Sequence, residues 1–257
     1  MLSNSSVVNL MTPGVGTASI TNAGAVNITD TSGASASFAV TVANGSYSTS
    51  GTLKVGTYQW QASSIVLANG VNFNNTVVVV GTETVTAKAL TATATAANKT
   101  YNSNASATVT VTSSDVITGD TVGYAYTSAE FLNKNAATNK AVTVANISLN
   151  GTDAGNYVIQ NLVASTTANI TQKALTITGI TAENKVYNGT TAAVVNVSAV
   201  NSTSLVGMGL VMGDNLTLSA TGAFADKNAG NGKTVNLTST YAGADVGNYL
   251  ITSQVNT

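Results

Sequence analysis

Lys173-Ala174-Leu175-Thr176-Ile177-Thr178 alternates apolar with short polar side chains, and its opening tetrapeptide already stands earlier in the chain as Lys88-Ala89-Leu90-Thr91. Alternation with period two marks a strand with one buried face. Recurrence at a fixed offset marks a repeat, which decides the architecture before any single residue does. Reading outward from Lys88, the chain passes Asn98-Lys99-Thr100-Tyr101-Asn102, Gly119-Asp120, Phe131 with Lys134-Asn135-Ala136, and Asp153-Ala154-Gly155-Asn156-Tyr157. From Lys173 the same landmarks return in the same order: Asn184-Lys185-Val186-Tyr187-Asn188-Gly189, Gly213-Asp214, Phe224 with Lys227-Asn228-Ala229, and Asp245-Val246-Gly247-Asn248-Tyr249.

The offsets are 85 at the lysine, 86 at the first tyrosine, 94 at Gly-Asp, 93 at the phenylalanine and 92 at the last motif. The second copy therefore gains eight residues between Tyr187 and Gly213, around Ser202 to Met212. Insertions collect where backbone can be solvated, so this segment is expected to be a surface loop. Ahead of Lys88 the pattern is blurred: Tyr58, Asn72-Phe73 and the Val-rich stretch leading into Lys88 echo the later copies. The expected organisation is a divergent module at 1–87 and two repeats at 88–172 and 173–257. The last repeat stops about one strand short, since Tyr249 is followed by eight residues and Tyr157 by fifteen before Lys173.

Leu216-Thr-Leu218, Val235-Asn-Leu237 and Val109-Thr-Val111 keep the period of two, and Asn44-Gly45, Asn69-Gly70, Asn150-Gly151 and Asn188-Gly189 supply hairpin turns. The weak helical candidate is Ser128 to Lys134. About six or seven short antiparallel strands per repeat make the expected fold all-β: tandem immunoglobulin-like β-sandwich modules in an elongated array.

Composition narrows the chemistry. Among 257 residues there is no Cys and no His, all nine basic residues are Lys, and 120 positions are Thr, Ser, Asn or Gly. Charged residues make up 7%, against about 25% in ordinary soluble domains. Water must be met by hydroxyls and amides, and β-branched Thr suits the outer face of a pleat. Imidazole bases, thiolate nucleophiles and zinc or iron–sulfur sites are excluded. Net charge −1 leaves no electrostatic footprint for nucleic acid, and no window nears 18 apolar residues, so no membrane insertion is expected. The first 25 residues lack the charged and apolar regions of a signal peptide.

The landmarks read as architecture. Tyr101 and Tyr187 precede turns, Tyr157 and Tyr249 open strands, and each is expected to pack its ring and send its hydroxyl to a partner. Gly-Asp and Asp-x-Gly-Asn-Tyr have the composition of Asx turns, with Gly155 and Gly247 expected at positive φ. Calcium would need six to eight oxygens, and neither Gly-Gly-x-Gly-x-Asp nor Asp-x-Asp-x-Asp occurs, so no metal and no cofactor are expected. Lys134-Asn135 and Lys227-Asn228 cannot form a Lys–Asn amide with each other, because adjacent strand residues face opposite ways. Both are expected to be solvated turns. Asn-x-Ser/Thr sequons number fourteen, less than twice the chance frequency.

The ordered set Asn184-Lys185-Val186-Tyr187-Asn188-Gly189, Gly213-Asp214, Phe224 to Gly230 and Gly243 to Tyr249 resembles the YDG repeat of large filamentous-haemagglutinin-like bacterial adhesins. The Lys-Ala-Leu-Thr junctions are similar to those joining YDG and MBG repeats. The first copy departs in reading Tyr101-Asn102-Ser103, without the glycine. The resemblance implies a secreted, surface-attached protein of a Gram-negative bacterium, exported through an outer-membrane secretion partner, in which such repeats space an adhesive tip. Absence of cysteine agrees with passage through an oxidising periplasm. The competing expectation is a module that itself binds glycans or proteins of host or neighbouring cells, through Tyr58 and the sole Trp60. An enzyme is not expected: two facing carboxylates about 5–9.5 Å apart would be needed for glycan hydrolysis, and ten acidic residues are dispersed.

Overall fold

The computed structural model describes residues 8–9, 15–21, 25–30, 35–68, 78–79 and 82–257, with side chains at 43–59 and 84–257. Strands dominate and a single short α-helix, Ser202–Gly207, occurs among the described residues, so the fold is all-β. The chain divides into two compact units: Met1–Ala92 with Ser113–Ala125 and Ser148–Asn161, and Thr93–Thr112 with Tyr126–Ile147 and Leu162–Thr257.

In the first unit five antiparallel strands run in the order Val15–Thr21, Ala25–Asp30, Ser35–Val42, Gly56–Ala68 and Thr82–Val85. Gly123–Ala125 pairs antiparallel with Ser148–Asn150, and Tyr157–Ile159 pairs parallel with Lys88–Leu90.

The second unit is built on Ala137–Ala145, which pairs antiparallel with Ser128–Phe131 and with Val163–Thr171. Lys99–Thr100 joins Val163–Thr171 in parallel. A second sheet orders Ala192–Ala193, Thr217–Phe224 and Val235–Ala242, all antiparallel. Lys173–Thr176 lies parallel to Tyr249–Thr252, with Lys173 opposite Tyr249. The alternation read from the sequence is visible here: Val142, Val144, Ala168, Ile170 and Leu175 are buried between exposed or half-buried Thr, Ala and Asn neighbours.

One buried cluster joins Tyr101, Phe131, Val142 and Ile170 from the first repeat to Leu175, Ile177, Ile180, Leu205, Leu210 and Tyr249 from the second. Full burial of each Leu or Ile contributes roughly 1.5–3 kcal/mol. The repeats within this unit therefore share a core, where the sequence suggested separate ones.

Four local expectations change. The eight-residue insertion is a helix and not a solvated loop: Asn201 Oδ1 accepts the amides of Thr203 and Ser204 as N-cap, and Leu205, 2% exposed, enters the shared core with Leu210. The insertion carries its own apolar side chains, so it packs instead of being displayed. Ser128–Phe131 is a strand, since Ala129 and Phe131 alternate inward and pair with Val142 and Val144. Three strand pairings among the described residues are parallel, because chain from the end of each repeat returns beside strands near its start: Lys88–Leu90 with Tyr157–Ile159, Lys99–Thr100 with Val163–Thr171, and Lys173–Thr176 with Tyr249–Thr252. Gly155 and Gly247 sit in 3-10 turns with open space around them and without positive φ, which falls instead on Gly151 (φ +103°) and Gly243 (φ +124°), four residues earlier.

Candidate functional site

Each Asp-x-Gly-Asn-Tyr motif folds back onto the Gly-Asp pair of its own repeat. In the second repeat Gly213 (φ +90°) turns the chain so that Asp214 points inward, and the 3-10 turn Val246–Asn248 delivers Tyr249 to it. Tyr249 Oη donates to Asp214 Oδ2 at 2.5 Å and accepts the Val211 amide at 2.9 Å. Asp245 Oδ2 accepts the Asn215 amide at 2.9 Å. Gly243 makes this closure possible, because a Cβ there would stand 2.3 Å from the Asn215 carbonyl oxygen.

The first repeat has the same geometry. Tyr157 donates to Asp120 Oδ2 at 2.5 Å and accepts the Ile117 amide at 3.1 Å, while Asp153 Oδ2 accepts the Thr121 amide at 2.9 Å. A Cβ on Gly151 would lie 2.5 Å from the Thr121 carbonyl oxygen. Tyr157 and Tyr249 open strands, as expected.

These two acidic ends are sockets for preceding segments of chain. In the second unit Lys134 Nζ bridges Asp245 Oδ1 at 2.8 Å and Asp214 Oδ1 at 3.2 Å. Ser103 Oγ donates to Asp214, and Asn248 Oδ1 accepts the Ala136 amide at 2.8 Å. Tyr101, 1% exposed, meets Tyr249 edge-on with ring centroids 5.6 Å apart. Lys134 is thus an ion-paired clamp and not a solvated turn. In the first unit the place of the clamp is taken by Ser48 to Val55. Thr49 donates its amide and hydroxyl to Asp153, Ser50 donates its amide to Asp120, and Asn156 Oδ1 accepts the Val55 amide at 3.0 Å.

The electrostatics follow the contacts. The Asp245 carboxylate beside Lys134 holds the ammonium above its ordinary value, and Lys134 holds Asp245 below. Burial pushes Asp214 up, but the Tyr249 hydroxyl and the Lys134 ammonium that contact it outweigh this and leave the carboxyl low. Hydroxyl donors lower Asp120, chiefly Ser48 and Ser50, and Thr49 lowers Asp153. Burial, followed by Asp214, raises the Tyr249 phenol.

The Tyr-Asn-Gly segment serves its own turn. Lys185 Nζ donates to Asn188 Oδ1 and to the Thr190 and Ala192 carbonyls while sitting 5.5 Å from the Phe224 ring centroid. Lys99 does the same with the Asn104 and Ser106 carbonyls and Phe131. Asn188 and Asn102 each accept an amide two residues on, an Asx turn. Gly189 has φ +77°, and Ser103 adopts φ +67° without the glycine.

Of the expected site residues, Tyr101, Asn102, Tyr157, Asn188, Gly189 and Tyr249 are placed in these contacts. Two tyrosines depart from the expectation: Tyr187 is 60% exposed, and the Tyr101 ring is buried but its hydroxyl has no hydrogen-bond partner among the described residues. Tyr58 is half-buried and donates to the Lys54 carbonyl at 3.0 Å. The side chain of Trp60, Asn69-Gly70 and Asn72-Phe73 lie outside the described residues. Among the described residues no group of three or more acidic side chains gathers as a metal site. Sequence reasoning missed the work of Lys99, Lys185 and Lys134. The signal was present, since all three sit at fixed places in the landmark order; the hydrogen-bond acceptors of Lys99 and Lys185 lie three to seven residues on, whereas the carboxylates that Lys134 bridges are distant in sequence.

The family model of the YDG domain matches residues 86–168 and again residues 171–257. No curated protein and no solved structure matches the chain.

Proposed function

The chain belongs to the YDG domain family, and from that premise we propose that it is the stalk of a secreted bacterial surface adhesin, extending and displaying an adhesive tip in support of cell adhesion or biofilm formation. Each repeat is read as an immunoglobulin-like β-sandwich in an elongated array, without enzymatic activity, exported with an outer-membrane partner and held at the surface of a Gram-negative cell. The observation that carries this reading is the pair of matching sockets. Asp120, Asp153, Asn156 and Tyr157, like Asp214, Asp245, Asn248 and Tyr249, spend their polar atoms holding one stretch of this chain to another. Side chains engaged in that way serve spacing, not ligand chemistry.

Small-angle scattering of the chain tests the proposal. A stalk gives an extended particle whose maximum dimension far exceeds that of a sphere of its mass, and it stays silent on a glycan array. A compact particle, or saturable glycan binding that depends on a socket residue, would sink the reading.

A further inference from the structure

The second repeat carries a copy of the clamp that the first repeat closes on a socket, and among the described residues that copy closes on no socket. Tyr187, Lys227 and Ala229 occupy the positions of Tyr101, Lys134 and Ala136 in the landmark order. Both clamps are built alike. Lys140 reaches Asn133 Oδ1 and the Asn135 carbonyl, fixing the loop that presents Lys134; Lys233 reaches Asp226 Oδ1 and the Asn228 carbonyl, fixing the loop that presents Lys227. The Asn135 amide donates to Asn133 Oδ1 at 3.0 Å, and the Asn228 amide to Asp226 Oδ1 at 2.8 Å. The turns bearing the two tyrosines are likewise tied by Lys99 and Lys185.

The outcomes differ. Tyr101 is 1% exposed against the socket, whereas Tyr187 is 60% exposed. Lys134 bridges two carboxylates, whereas Lys227 is exposed and makes no ion pair among the described residues. A groove of about 340 Å³ opens there, lined by Lys185, Tyr187, Phe224, Asp226, Lys227 and Lys233 among others. Three ammonium groups against one carboxylate give it the charge complementary to a pair of aspartates. The face is prearranged, so little ordering entropy opposes an occupant.

We propose that the surface bearing Tyr187 and Lys227 docks the acidic end of another YDG repeat, one presenting the Asp, Asp, Asn and Tyr set seen at Asp214, Asp245, Asn248 and Tyr249. The inference rests on the tandem-repeat reading above and names the chemistry that would join one repeat to the next. The Lys227 ammonium bridges the two carboxylates, Tyr187 packs edge-on against the incoming tyrosine, and the Ala229 amide donates to the incoming asparagine. Gly189 stands where Ser103 supplies a hydroxyl, so this contact has one hydrogen bond fewer.

The test appends a second copy of residues 166–257 directly after Thr257, which preserves the 92-residue spacing of the last motif. Lys227 should react with an acylating reagent severalfold more slowly in the extended protein than in the 257-residue chain, while Lys88 reacts equally in both. Lys227→Ala should lower the melting temperature of the extended protein by several degrees and leave that of the 257-residue chain unchanged. Lys227→Asp should be rescued by Asp245→Lys in the appended copy. Unchanged Lys227 reactivity beside a folded appended repeat overturns the proposal. So does an appended repeat that stays protease-sensitive, because the face should complete its core. Lys227-dependent retention of the 257-residue chain on polygalacturonate, without protection in the extended protein, would assign the face to an acidic polysaccharide instead. Scattering separates the two readings. An extended particle with unprotected Lys227 keeps the stalk and loses the docking, whereas a compact one with protected Lys227 does the reverse.

Discussion

Tyr249 donates its hydroxyl to Asp214 at 2.5 Å, and Tyr157 donates to Asp120 at the same distance. In both copies the same phenol oxygen also accepts a backbone amide from the segment just before the Gly-Asp pair. A tyrosine that satisfies a buried acceptor and a backbone donor together is a structural rivet. Tyr249→Phe should cost about 1–3 kcal/mol, since it strands both partners without changing ring packing. Urea denaturation monitored by circular dichroism checks this, and an unchanged midpoint would contradict it.

Lys134 faces Asp214, whose side chain is 1% exposed, and Asp245, while being itself 37% exposed. Lys134→Met should destabilise the second unit by about 1–2 kcal/mol. That is below the 3–5 kcal/mol of a fully buried pair, because solvent screens the ammonium. The loss should shrink in the Lys134→Met, Asp245→Asn double variant, which removes one of the uncompensated charges.

Glycine positions separate sharply. Gly243→Ala combines φ +124° with a contact 2.3 Å from the Asn215 carbonyl oxygen and should cost about 2–4 kcal/mol. Gly247→Ala meets nothing within 4 Å and should change stability by less than about 0.5 kcal/mol. Thermal melts of the two variants, four residues apart, decide the matter.

Acid should unfold the protein through its sockets. Asp120, Asp153, Asp214 and Asp245 are held below the usual carboxylate range. Their contribution is present above the unfolded value of about 3.9 and is lost as pH falls through the lower folded values. Lys134 is raised, so its contribution is present below about 10.4 and is lost only as pH rises through its higher folded value. The urea midpoint should therefore be flat between about pH 5 and 9 and drop below about pH 4. Asp245→Asn should flatten the acid limb.

The inserted helix should depend on its N-cap, Asn201. Asn201→Ala removes the side-chain oxygen that caps the Thr203 and Ser204 amides and should cost about 1 kcal/mol. Hydrogen exchange at those two amides should quicken.

The all-β class and the repeat were legible because alternation and recurrence are local or periodic signals, plain at Leu175, Val142 and the paired tyrosines. What escaped was whatever depends on which segments meet. Lys134 looked like a turn lysine because its partners, Asp214 and Asp245, lie 80 and 111 residues away. Gly247 looked like the strained glycine because it stands inside the motif, whereas the close approach to Asn215 falls on Gly243 outside it. Antiparallel pairing is the default for short strands, and only the return of Tyr249–Thr252 to Lys173–Thr176 made that pairing parallel. The insertion at Ser202 was located correctly by counting, but Leu205 and Leu210 gave it a reason to fold inward.

That parallel return has a mechanical consequence. The chain enters the pair at Lys173 and leaves it after Thr252, diagonally opposite corners of one in-register ladder. Lys88–Leu90 and Tyr157–Ile159 repeat the arrangement. Tension along the polypeptide would therefore load every ladder bond at once in shear, instead of peeling them apart one after another. Each repeat is wired to resist a pull between its ends.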